Sequence, residues 1–169
     1  MKKILAKPIS YYPSQRALDK VEYIVIHYTG NRGDTAENNA KYYQNWNERQ
    51  AGAHYFVDRK GIIVQSIPIK YIAKAVGGAK YNNNGGKLYG KASNSNSVSI
   101  ELCDILNCYP SEKQIKAVKK LIKHIRKNCP NAKQIIRHYD INGKGCPASM
   151  CGTLAGDLAW MKFIRDLNE

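Results

Sequence analysis

The stretch Val21-Glu22-Tyr23-Ile24-Val25-Ile26-His27-Tyr28 constrains the fold more than any other. It is apolar nearly throughout and rich in β-branched and aromatic side chains, which suit a pleated backbone. A strand with one face in water would alternate apolar and polar residues. This one does not, so it predicts a central strand covered on both faces. The turn cluster Thr29-Gly30-Asn31-Arg32-Gly33 ends it.

Around that strand the pattern alternates in type. Asp34 or Thr35 can cap a helix running to about Arg49, with Tyr43 and Trp46 three apart on its buried face. Residues 53–57 and 62–67 flank the turn Asp58-Arg59-Lys60-Gly61 and read as a hairpin. Residues 77–96 shift to Gly, Asn, Ser and Lys and read as a long loop, functional or mobile. Val98-Ser99-Ile100-Glu101-Leu102 alternates as a strand. Ser111-Glu112-Lys113-Gln114 matches a capping box. Ile115, Val118, Leu121, Ile122 and Ile125 then follow at helical spacing, with lysines on the other face. Residues 134–138 predict a short strand, and 157–167 a closing helix with Leu158, Trp160, Met161 and Ile164 inward. The expected architecture is α/β, a single domain over residues 1–169, with a mixed central sheet flanked by helices and residues 1–20 as an N-terminal arm.

The formal net charge is +14, which calls for polyanionic surroundings, either nucleic acid or a phosphate-rich cell wall. No helix-turn-helix, zinc-finger or RNA-recognition pattern is present, so no specific nucleic-acid partner is expected. No window is apolar enough to span a membrane. The basic start at Lys2 and Lys3 is followed by no apolar run of signal-peptide length, so a protein made in the cytoplasm and reaching its target after release is expected. The cysteines number five, an odd count without a C-x-x-C pair, which predicts reduced thiols rather than a disulfide framework or a zinc ribbon.

His27 and His138 each end a predicted strand, and Cys146 follows in Gly145-Cys146-Pro147. Two imidazoles and a thiolate are ligands that zinc prefers, and three protein ligands leave a position open for water. Spacing alone does not separate that reading from two half-buried histidines and an ordinary cysteine.

Five motifs in order carry a resemblance: Tyr23-Ile24-Val25-Ile26-His27-Tyr28-Thr29; Gly52-Ala53-His54-Tyr55-Phe56-Val57-Asp58; Gln65-Ser66-Ile67 with Val76-Gly77-Gly78; Ser97-Val98-Ser99-Ile100-Glu101-Leu102; and Arg137-His138-Tyr139-Asp140 through Lys144-Gly145-Cys146-Pro147. Together they resemble the type 2 N-acetylmuramoyl-L-alanine amidase family, which includes phage amidase-type lysozymes and peptidoglycan recognition proteins. The similarity runs from about residue 21 to 165. It implies Zn2+ held by His27, His138 and Cys146 at strand ends. It implies Glu101 and Lys144 as catalytic residues, the first taking the water's proton and the second facing the oxyanion. His54 is expected to line the site without binding metal, a packed strand histidine being the other reading, and the 77–96 loop to form one wall of the substrate groove. The implied activity is hydrolysis of the amide between N-acetylmuramic acid and L-alanine in bacterial peptidoglycan, in the manner of a phage or prophage endolysin acting as a monomer. Anionic wall polymers are the second partner this charge would suit.

Two positions depart from the family pattern. Ala53 stands where some members carry a catalytic Tyr, and Ala75 where many carry a His. Relatives that have lost a ligand bind peptidoglycan without cutting it, so a non-catalytic binding module is the alternative. A Cys146–His138 dyad without metal is a third reading.

Overall fold

The structure, a computed structural model, describes residues 1–81 and 85–169. Asn82, Asn83 and Asn84, part of the expected 77–96 loop, lie outside the described residues.

The predicted central strand forms as β3 (Tyr23–Tyr28), with a parallel neighbour on each side. One is β7 (Ser97–Leu102), the other β8 (Gln134–Arg137). Beyond β7 come β4 (Tyr55–Val57), parallel to it, and β5 (Ile63–Gln65), antiparallel to β4. The hairpin expected around Asp58 is therefore present, with each strand shorter than its apolar run. The N-terminal arm is ordered. Its β1 (Lys2–Lys3) adds to β5, completing the order β1-β5-β4-β7-β3-β8. Its β2 (Tyr11–Gln15) pairs with β6 (Tyr71–Ala73) in a separate two-stranded ribbon.

Period-two alternation divides the sheet's side chains between two layers. On one face Ile24, Ile26, Val98, Ile100, Leu102, Tyr55 and Val57 meet Ile115, Val118, Leu121, Ile122 and Ile125 of α2 (Glu112–Asn128) and Phe163 and Leu167 of α4 (Leu154–Asn168). This is the main core. Each fully buried large side chain there contributes ~2 kcal/mol of burial free energy. On the other face α1 (Ala36–Asn45) lays Ala36 and Ala40 over Phe56 and Val64. Farther along that face, Tyr23, Val25 and Ile136 pack with Val76, Ala92 and Ile141.

Three details differ from the sequence expectation. Helix α1 ends at Asn45, so Tyr43 stacks on Phe56 while Trp46, its cap, is 64% exposed. In α4 the inward stripe is Trp160, Phe163 and Leu167, leaving Leu158 and Met161 in solvent. The helix begins at Leu154, before the expected start, and the fully buried Phe163 sets which face turns inward. At the start of α2, Ser111 Oγ accepts from the Gln114 amide at 3.2 Å, but the second half of the capping box does not form. The Gln114 side chain turns inward instead, donating to the Val57 carbonyl at 2.8 Å and the Cys103 carbonyl at 3.0 Å. The Val57 carbonyl also has the Cys103 amide at 2.9 Å, so it is the buried Cys103 carbonyl that Gln114 satisfies in preference to a surface cap.

Candidate metal centre and groove

Register brings the candidate residues together. His27 of β3 lies directly opposite Glu101 of β7, which lies opposite Phe56 of β4, so all three share the α1 face near the strands' C-terminal ends. On the other flank Arg137 of β8 pairs with Ile26, which sets His138 level with His27. His138 opens a short helix, α3 (His138–Asn142), ended by Gly143 in the left-handed region. The chain then doubles back, and the Tyr139 amide donates to the Cys146 carbonyl at 2.9 Å. That bond seats Cys146 beside the histidines.

The His27 and His138 rings meet edge to face with centroids 4.8 Å apart, and His27 Nδ1 lies 3.8 Å from Cys146 Sγ. All three side chains are buried, and their candidate ligand atoms lie within 4.8 Å of one another. Nε2 of both histidines is buried without a hydrogen-bond partner. Orphaned buried nitrogens are costly unless something binds them. Burial holds His27 well below the ordinary histidine range, reinforced by His138 and Lys144. Burial first, then Lys144, brings His138 down to about 4. Both imidazoles are therefore neutral and free to donate lone pairs. Burial and the nearby Glu101 push the Cys146 thiol up, opposed by the Tyr28 backbone amide. A divalent cation reverses that preference, since a coordinating thiol loses its proton. Two neutral imidazoles and a cysteine sulfur thus fit a metal ion.

The cluster forms one end of a groove of about 600 Å³. Glu101 and Lys144 line it, with Asp34, Tyr42 and Arg49 from in and around α1, and Lys74 and Ala75. Glu101 Oε2 is buried and unpartnered. Burial raises its carboxyl to about 7, with Lys144 opposing and Asp34 adding to the rise. That is where a group exchanging protons at neutral pH needs to be.

Sequence reasoning missed Asp34 and Arg49. Asp34 read as a possible helix cap, but Thr35 caps α1, its Oγ1 accepting from the Asn38 amide at 3.1 Å. Asp34 is left to accept from Asn39 Nδ2 at 2.6 Å, with Oδ1 buried and unpartnered. Only the fold brings Arg49 to the groove, since nothing in its neighbours marks it. The two departures differ in position. Ala53 is buried against the α1 layer, whereas Ala75 lines the groove.

The structure moves His54 out of the groove wall. It is 1% exposed and sits on the same sheet face as His27 but lower, in the row of Ser99. Its Nδ1 accepts from the Ser99 amide at 3.0 Å, which requires the neutral ring to carry its proton on Nε2, 3.1 Å from the Tyr71 carbonyl. Both nitrogens are committed to the backbone, so His54 is a packing residue rather than a substrate contact. Burial, then the adjacent Arg16, lowers it to about 3. The described part of the 77–96 loop also stays off the groove. It packs on α3, with the Gly86 and Leu88 amides donating to the Tyr139 and Asp140 carbonyls at 3.0 and 2.9 Å.

Residues 17–149 match the family model described as N-acetylmuramoyl-L-alanine amidase. Among curated relatives, the N-acetylmuramoyl-L-alanine amidase BlyA of Bacillus subtilis (strain 168) is 31% identical over 139 residues, 78% of this chain and 37% of that protein. A probable N-acetylmuramoyl-L-alanine amidase of Bacillus licheniformis is 29% identical over 77% of this chain and 37% of its own length. The chain thus spans little more than a third of the curated relatives it matches. Among solved structures, PlyL superposes with a TM-score of 0.75 at 24% identity, covering 99% of this chain and 96% of that one. An AmpD derivative gives a TM-score of 0.67 at 16% identity, over 98% and 93%.

Proposed function

This chain belongs to the N-acetylmuramoyl-L-alanine amidase family, and from that premise we propose that it is a zinc-dependent peptidoglycan amidase of the endolysin type, acting as a monomer on the wall after release from the cell that makes it. It would cut the amide between the lactyl carbonyl of N-acetylmuramic acid and L-alanine. The observation that carries this reading is the convergence of His27, His138 and Cys146 within 4.8 Å at the end of a groove that also holds Glu101 and Lys144.

His27, His138 and Cys146 would hold the zinc, which supplies Lewis acidity toward the scissile carbonyl and lowers the pKa of water to ~7. Glu101 takes the proton of the attacking water on its buried, unpartnered Oε2 and returns it to the departing alanine nitrogen. Its place near neutrality lets it do both. Lys144, at the groove and close enough to perturb Glu101 and both histidines, presents its ammonium to the oxygen that becomes negative as the carbon turns tetrahedral. A donor of this kind is worth ~3 kcal/mol in the barrier. With Ala53 sealed in the α1 layer, Glu101 carries the acid–base work without a tyrosine. Asp34 and Arg49 offer an acceptor and a cation to the stem peptide along the same wall.

The test is release of N-terminal alanine from purified Gram-positive walls without new reducing sugar ends, abolished by chelation and restored by zinc. Glu101→Gln, matched in size, should lower the rate by ~100-fold or more while zinc stays bound. A folded, zinc-loaded protein that holds the wall but frees no alanine would make the chain a binding module, with Ala75 the first position to examine.

A further inference from the structure

Helix α2 carries Lys113, Lys116, Lys119, Lys120, Lys123, Arg126 and Lys127 against a single carboxylate, Glu112. Lys113, Lys116, Lys120, Lys123 and Lys127 are all exposed. Their spacing alternates three and four, so they form one straight stripe along the helix, about 21 Å long at 1.5 Å per residue. Among the described residues, the ion pairs are drawn from β1, α1, α4 and the Arg137 cluster, and none takes a partner from α2.

Folding does not explain this stripe. A merely solvated helix face mixes the two signs, because acid and base three or four apart stabilise it and like charges oppose it. Here Lys116 faces Lys119 and Lys120, and Lys123 faces Arg126 and Lys127. Basic residues in the last turn suit the helix dipole, but Lys113 and Lys116 lie in the opening turns, where the dipole disfavours cations. The apolar side of α2 is fully used in the main core, so the stripe points outward, on the sheet face opposite His27 and Glu101.

We propose that the outer face of α2 is a docking surface for a linear phosphodiester polyanion of the cell wall, separate from the groove and able to be filled while a substrate strand occupies it. The choice of a wall polymer rests on the amidase reading above. The surface itself also argues against single-stranded nucleic acid, which is held by cations interleaved with stacking aromatics. Helix α2 has no Phe, Tyr or Trp, its one ring being that of His124, and the exposed Tyr12, Trp46, Tyr81 and Tyr89 all lie on other segments.

The experiment measures binding without turnover, in Glu101→Gln protein. The surfaces are purified Gram-positive walls, the same walls extracted of their phosphodiester polymers, and duplex DNA, each over a salt series. Lys116, Lys120 and Lys123 are changed together to Gln, with Lys20, Lys41 and Lys91 changed together as a charge-matched control. For a flexible polyanion each lost contact removes ~0.7 from the slope of log affinity against log salt. The α2 variant should therefore lose about two from that slope and roughly a hundredfold in affinity for intact walls at 0.1 M salt. The control should change far less, and extracted walls should not distinguish the variants. Thermal melts confirm folding, and the α2 variant should melt no lower than its parent because repulsion is relieved. Equal losses from both triple variants, or equal binding to extracted walls, would overturn the proposal. Tighter binding of DNA than of walls through the same lysines would reassign the surface to nucleic acid. Absence of alanine release by the unsubstituted protein would sink the amidase reading alone, since this binding is measured without hydrolysis.

Discussion

Replacing Arg16 with Met should loosen a wall of the groove without touching any group in it. Arg16 sits between the N-terminal ribbon and the turn that leads into β7. Its Nε donates to the Ile69 carbonyl at 3.1 Å, and Nη1 reaches the carbonyls of Asn94, Ser95 and Ser97 at 3.0, 3.2 and 2.6 Å. Nη1 has only two hydrogens, so at most three of these four bonds exist at once. Charge-assisted bonds contribute ~2 kcal/mol each, or ~6 together. Against this stands the cost of burying the cation, whose pKa burial lowers from 12.5 to about 10. That shift corresponds to ~3 kcal/mol, which an uncharged side chain recovers. The net loss in Arg16→Met is then ~3 kcal/mol, or a fall in Tm of roughly 6–12 °C for a chain this size.

The consequence for the groove follows from Asn94. While Arg16 holds its carbonyl, its side-chain Oδ1 accepts from the Ala75 and Val76 amides at 3.0 and 2.7 Å. Lys74 and Ala75 line the groove, and the Lys74 carbonyl accepts from the Gly52 amide at 3.1 Å. Freed of Arg16, Asn94 should release those amides. Their hydrogen exchange should quicken about tenfold for each 1.4 kcal/mol lost locally, and KM should rise more than kcat falls. Thermal denaturation by circular dichroism and residue-resolved exchange read the two effects separately. A variant melting within 2 °C of the parent (under about 1 kcal/mol), or one whose Ala75 and Val76 amides exchange at the parent's rate, would refute the clamp.

Three further outcomes are expected. His54 is held neutral with its pKa lowered to about 3, so as pH falls below ~6.5 the unfolded chain takes its proton first. Its contribution is complete above that pH and is lost on the way down to about 3. His54→Gln, whose amide can keep both backbone partners, should flatten the dependence of unfolding free energy on pH by up to ~1.4 kcal/mol per unit in that window, and urea melts at pH 7, 5 and 4 check it. Gln114→Leu strands the Cys103 carbonyl and leaves the Val57 carbonyl with the Cys103 amide alone, and should lower the urea midpoint by the equivalent of ~1–3 kcal/mol with an unchanged m-value. Zinc at a thousandfold excess over its dissociation constant should stabilise the protein by ~4 kcal/mol, and Cys146→Ala should forfeit most of that gain, read by melts with and without chelator.

Much of the fold was legible because strand and helix periods are local. The run from Val21 to Tyr28 announced a strand with neighbours on both sides, and the pattern after Ser111 announced the helix that covers it. The candidate cluster of His27, His138 and Cys146 was picked out by the ordered motifs, not by local chemistry. His27, His138 and His54 all sit at or beside strand ends, yet two face an open cluster and the third is capped by backbone on both nitrogens. What separates them is depth along the sheet. The Glu101 row opens into the groove, and the Ser99 row is closed over by Arg16 and Tyr71. Depth is a property of register and of what the arm lays on top, and neither is written in the residues next to a histidine. Arg16 shows the same limit from the other side. It lies just before the matched segment 17–149 and reads as one more cation on a basic chain. Its importance appears only when carbonyls from Ile69 and from Asn94 to Ser97 converge on it. The residues that line this groove therefore fall within the matched segment, while Arg16, outside it, holds part of the wall in place through Asn94.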